Sequence, residues 1–115
     1  MNYNGRACAE EMRELAAGAI GAGLTAIGVA PTHSIFNITI INATNEILVF
    51  GWEQEDGLLD RVPLPAGTGI TLDMQTNKKG ADGDLNWPVN RQIYVRQEGV
   101  PGTGKVYVTY FYGEK

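Results

Sequence analysis

From about residue 34 onward, apolar and polar positions alternate with a period of two, the pattern of strands that bury one face. In Ile35–Asn42, the residues Phe36, Ile38 and Ile40 share one face, and Asn37, Thr39 and Ile41 the other. Glu46–Glu53 sets Leu48, Phe50 and Trp52 against Ile47, Val49 and Gly51. Both of its faces are apolar, so this strand reads as central and covered on both sides. Val62–Leu64 gives a short strand, and Ile70, Leu72 and Met74 alternate with Thr71, Asp73 and Gln75. Gln92–Gln97 turns Ile93 and Val95 inward. Lys105–Tyr112 closes the pattern, with Val106, Val108, Tyr110 and Tyr112 opposite Tyr107, Thr109 and Phe111. The intervals hold turn-forming Gly, Pro, Asn and Asp, as in "NATNE", "PAGTG", "TNKKGADGDLN" and "EGVPGTG". Such spacing predicts an all-β fold: an antiparallel β-sandwich of about seven or eight strands, jelly-roll-like in its wiring.

The first thirty residues follow a different pattern. Cys8, Met12 and Leu15 fall at helical spacing, which predicts a short helix or an arm that must dock on something to be stable. Leu15–Ala30 contains Gly18, Gly21, Gly23 and Gly28, too many for a good helix. Leu24, Thr25, Ile27 and Val29 suit a glycine-loosened strand ended by Pro31. The expected division is an N-terminal arm or short helix over 1–14 and a sandwich domain over 15–115.

Composition narrows the function. A chain of 115 residues suits one domain that buries a core without staples. Cys8 is the only cysteine, so no intramolecular disulfide forms, and His33 is the only histidine, which argues against Cys/His zinc sites. The net charge of −4 disfavours phosphate backbones, and Lys78-Lys79 reads as a solvated loop, so no nucleic-acid partner is expected. The apolar run Leu15–Ala30 is shorter than the roughly 20 residues a spanning helix needs. Glu10, Glu11 and Glu14 precede it where an export leader is basic, so neither membrane insertion nor export by the usual route is expected.

Each candidate for chemistry meets a simpler reading. Glu53, Glu55, Asp56 and Asp60 contain enough carboxylates for glycoside hydrolysis, but they crowd one polar loop where water keeps them ionised. "DGDLN", Asp82–Asn86, begins like a calcium loop but has Trp87 and Ile93 where Gly and Glu are required. It reads as a turn, with a weak cation site at Asp82 and Asp84 left open. Cys8 and His33 lack an elbow motif, and His33 reads as a turn residue at a strand entrance. "GAIGAG" and "GTGITLD" are not nucleotide loops; the second reads as a hairpin turn. Asn37-Ile38-Thr39 and Asn42-Ala43-Thr44 match the glycosylation sequon, a pattern that arises easily by chance. Among the aromatics, Trp87 before Pro88 is the one expected to be exposed. No catalytic residue, metal or cofactor is assigned, and the chain is expected not to be an enzyme.

The segments "FNITIINATNEILVFGWE", "VPLPAGTGITLDMQTNKK" and "NRQIYVRQEGVPGTGKVYVTYFYG" occur in an order that resembles small β-sandwich structural proteins of tailed bacteriophage virions. The resemblance covers roughly residues 34–113, while "CAEEMREL" departs from it. It implies a non-enzymatic head decoration (cement) protein in the phage particle, made in the host cytoplasm. The implied partners are the major capsid protein or other virion proteins, and a homo-oligomer is expected. Neck or adaptor component, tail-fibre component, and carbohydrate- or receptor-binding module are the alternatives. On expected exposure, the candidate interface residues are Tyr3, Arg6, Met12, Arg13, Trp87 and Arg91.

Overall fold

The computed structural model describes residues 6–53, 59–73 and 91–114. These hold strands β1 (Arg6–Ala9), β2 (Arg13–Ala16), β3 (Thr25–Ala26), β4 (Asn37–Asn42), β5 (Leu48–Glu53), β6 (Leu59–Leu64), β7 (Thr68–Asp73), β8 (Tyr94–Gln97) and β9 (Lys105–Glu114). One sheet has β9 and β4 at its centre, with β7 on one edge and both β1 and β2 along the other. The second sheet runs β3-β8-β5-β6. All pairings are antiparallel. From β2 to β9 the chain changes sheet at every step except the β5–β6 hairpin, which is the strand order of a jelly roll.

The alternation read from the sequence sets which face turns inward. Ile38 and Ile40 of β4, Phe50 of β5, Val95 of β8, and Val106, Val108 and Tyr110 of β9 are each 0% exposed and meet in one core. Burying such side chains is worth about 1.5–3 kcal/mol each, against about 1 kcal/mol net for a ladder hydrogen bond, so burial fixes the register. In β5, Leu48, Val49, Phe50, Gly51 and Trp52 are all buried, as a strand covered on both faces requires.

Three readings need correction. Residues 59–61 belong to β6, not to a polar loop. Pro65–Gly67 is a corner, not a hairpin, because β6 and β7 lie in different sheets. Third, residues 6–9 and 13–16 are strands paired with β9, neither a helix nor a free arm. The helix-like spacing has a simple cause. Between the pairs Ala9↔Phe111 and Arg13↔Val108, three residues (Glu10, Glu11, Met12) face two (Thr109, Tyr110). This is a β-bulge. Its extra residue separates the core-facing positions 8 and 15 by seven, an interval a helix also produces. After the end of β2 at Ala16, residues 17–30 yield a 3-10 turn at Ala17–Ala19 and only the two-residue β3.

One end of the sandwich is held by a single buried amide. Asn42, 0% exposed, donates through Nδ2 to the carbonyls of Glu46 (3.0 Å), Leu64 (2.8 Å) and Pro65 (3.3 Å). Its Oδ1 accepts from the Thr44 amide (3.0 Å) and hydroxyl (2.6 Å). Two corners at which the chain changes sheet, β4–β5 and β6–β7, are thereby joined. Gly104 packs behind them at φ 91°, where a Cβ would strike the Ala43 carbonyl, so only glycine fits. Asn42 is therefore closed to glycosylation in the folded chain, and Asn37 is half-buried within β4.

Candidate functional site

The bulge decides the chemistry of the opposite end. In an unbroken strand, positions 10 and 13 point to opposite faces. The inserted residue turns both inward: Glu10 donates its amide to the Tyr110 carbonyl (2.9 Å), and Arg13 stands opposite Val108. Their side chains form an ion pair of 2.8 Å, only 6% and 8% exposed. Desolvating such a pair is costly unless its remaining donors and acceptors are satisfied. Here they are. Arg13 also donates to Val29 O through Nε (2.9 Å), to Glu11 O through Nη1 (2.6 Å) and to Ala30 O through Nη2 (3.0 Å). Its guanidinium carbon lies 5.1 Å from the centre of the Tyr110 ring, a cation–π contact. The Arg13 stem packs on Gly28, whose φ of 70° and missing Cβ leave room for it.

Glu10 reaches in the other direction with Oε2. That oxygen accepts from the Thr32 amide (3.0 Å), the Thr32 hydroxyl (3.3 Å) and the His33 amide (2.9 Å). It also lies 2.7 Å from His33 Nδ1. Burial, the largest single influence, pushes the carboxyl pKa up. Hydrogen bonds from His33, Arg13 and the Thr32 and His33 amides together outweigh it, so the carboxyl sits below its ordinary value of 4.5. The His33 ring lies flat on Tyr112, with centroids 3.6 Å apart and planes within 2°. Around this assembly opens a shallow cavity of about 610 Å³, rimmed by Met12, Val29, Glu11 and Glu14. Met12 is 49% exposed and Val29 69%.

Beneath the cavity, Tyr110 anchors the site to the core. Burial raises its phenol pKa from 10.0 to about 12, against the lowering pull of the Ile93 amide and Arg13. A phenol held protonated in the folded state adds stability in full below pH 10.0 and loses it as pH rises through about 12. The shift corresponds to about 3 kcal/mol. The Tyr110 phenolate is expected to form near pH 12 in an ultraviolet titration, together with alkaline unfolding. Tyr110→Phe should remove that step.

Of the six residues expected at an interface, the structure brings Met12 and Arg13 to this cavity. Met12 is exposed there as expected. Arg13 is not a surface contact: its charge is consumed inside the fold by Glu10 and three carbonyls. Arg6 begins β1 opposite Glu114, and Arg91 is half-buried away from the cavity lining. Tyr3 and Trp87 lie outside the described residues, as do Glu55, Asp56, Lys78, Lys79, Asp82 and Asp84. Sequence reasoning missed Glu10, Thr32 and Tyr112 as members of the site and read His33 as a turn residue at a strand entrance. Glu10 and His33 are 23 positions apart and meet only through the bulge, which no local pattern announces. Among the described residues, no cluster of three or more His, Cys, Asp or Glu could hold a metal ion.

Comparison of the chain with protein-family models, with curated proteins and with solved structures finds no match.

Proposed function

We propose that this chain is a structural component of a tailed-phage virion, a decoration protein that binds and cements the major capsid shell from outside. The fold is a jelly roll, an architecture shared by proteins of many functions, so the reading rests on the surface together with the resemblance over residues 34–113. The carrying observation is the sheet edge at Met12. There the ionisable groups Glu10 and Arg13 are spent on holding the fold, and the exposed, apolar Met12 and Val29 share the rim with Glu11 and Glu14. Apolar side chains ringed by polar ones are the usual anchors of a protein interface. The net charge of −4 keeps such a protein from binding the packaged genome.

Virions stripped of the protein and supplied with purified chain should regain resistance to heat. A Met12→Asp variant should bind at least about 30-fold more weakly, the loss expected when an interface anchor is removed. Unchanged heat resistance would count against cementing, and a ring of fixed stoichiometry at one vertex would favour a neck or adaptor role. One observation favours a second reading, a carbohydrate- or receptor-binding module. The His33 side chain, 45% exposed and stacked on Tyr112, offers a flat ring to a sugar face. Binding on a glycan array that is lost in Tyr112→Ala would select it.

A further inference from the structure

We infer that Glu10 is an acid-release latch: while ionised it clasps the Thr32–His33 turn to the sheet edge, and on protonation it lets the turn swing away while the two sheets stay packed. This inference is independent of what the outer surface docks on.

Two successive backbone amides, Thr32 and His33, converge on one carboxylate oxygen at 3.0 and 2.9 Å, an arrangement that selects negative charge. The groups facing this carboxylate come from three elements: Arg13 from β2, His33 from the β3–β4 connection and Tyr110 from β9. Glu11 and Glu14 stand on the cavity rim. The Arg13 guanidinium and the two amides can only donate. A protonated Glu10 can aim its new O–H only at the Thr32 hydroxyl or the His33 ring, and its weakened oxygens hold the two amides and the guanidinium poorly. Protonation also leaves the buried Arg13 without its counter-charge.

The turn is fastened independently on both sides. The Ile27 amide donates to Ile93 O (3.0 Å) before it, and the Phe36 amide to Phe111 O (3.1 Å) after it. Those bonds do not involve Glu10, so the release is confined between them. Its visible consequence is loss of the His33–Tyr112 stack and exposure of the Tyr112 ring to the cavity. Because the Glu10 pKa is lowered, the latch is shut at neutral pH. The stability it contributes is present above 4.5 and is lost as pH falls through Glu10's own lower value.

His33 is the only histidine, so its ring protons are unambiguous in an NMR spectrum of the full chain. At pH 7 they should show cross-relaxation to the Tyr112 ring. On acidification that signal should vanish in step with the Glu10 carboxyl titration, while the Ile38 and Tyr110 amides keep their native shifts. Glu10→Gln should lack the ring contact already at pH 7. Glu11→Gln, the same charge change on an exposed neighbour, should leave the midpoint unmoved. The latch is overturned if the ring contact survives Glu10 protonation, if it persists in Glu10→Gln, or if it disappears only together with the Ile38 and Tyr110 signals. Should Glu10→Gln fail to fold, the titration of the unaltered chain decides alone.

Discussion

Asn42→Asp is expected to unfold the chain at neutral pH, or to leave it barely stable. The substitution keeps the shape and exchanges two N–H donors for a charged acceptor. Three carbonyls, from Glu46, Leu64 and Pro65, would then face a carboxylate at a position 0% exposed. An uncompensated buried charge costs about 3–5 kcal/mol, a large part of the 5–15 kcal/mol typical of a whole domain. Both corners held by Asn42 loosen together, so the loss is global and should appear as a lower urea midpoint with an unchanged slope. Acid should recover part of it by neutralising the new carboxyl. The unaltered chain should move the other way, losing stability in acid as Glu10 takes up its proton.

The second large effect belongs to Arg13→Met. Methionine retains the stem that packs beside Gly28 and removes only the guanidinium. The carbonyls of Glu11, Val29 and Ala30 lose their donor, and the Glu10 carboxylate loses its buried partner. Breaking one side of a buried pair costs about 3–5 kcal/mol, whereas removing both charges costs less than the sum. The double variant Glu10→Gln/Arg13→Met should therefore be more stable than the two single losses predict, as read by chemical denaturation. Lys105→Met provides the contrast. It breaks a pair of nearly the same length, 2.9 Å to Glu14 against 2.8 Å, but one in which both side chains are about half exposed. Solvent screens that pair, and no measurable change is expected.

The body of the fold was legible because its strands are paid in apolar alternation. Ile38/Ile40, Leu48/Phe50 and Val106/Val108/Tyr110 each repeat at the strand period and face one core. The doubly apolar run Leu48–Trp52 correctly marked a strand buried on both faces. The N-terminal segment was misread because a bulge defeats a periodicity argument. One inserted residue between Ala9 and Arg13 reverses the parity of everything before it. Arg13 looked like a surface residue because arginine usually is one, and its burial depends on carbonyls 16 and 17 positions away. Asn42 shows the same limit. "NATNE" announced a turn, but the tie to Leu64, 22 positions on, exists only once two sheet changes are complete. Local pattern thus gives the strands. The buried polar contacts that join them are set by topology.

The strand-paired edge with its bulge places Glu10, Arg13 and Met12, and the site stands or falls with it. Nuclear Overhauser contacts between backbone protons of this segment and β9 test it directly. Contacts are expected for Cys8–Tyr112 and Ala9–Phe111, then Arg13–Val108 and Leu15–Val106, with a one-residue slip between the two sets. Sequential helical contacts across residues 6–14, with none to β9, would contradict it.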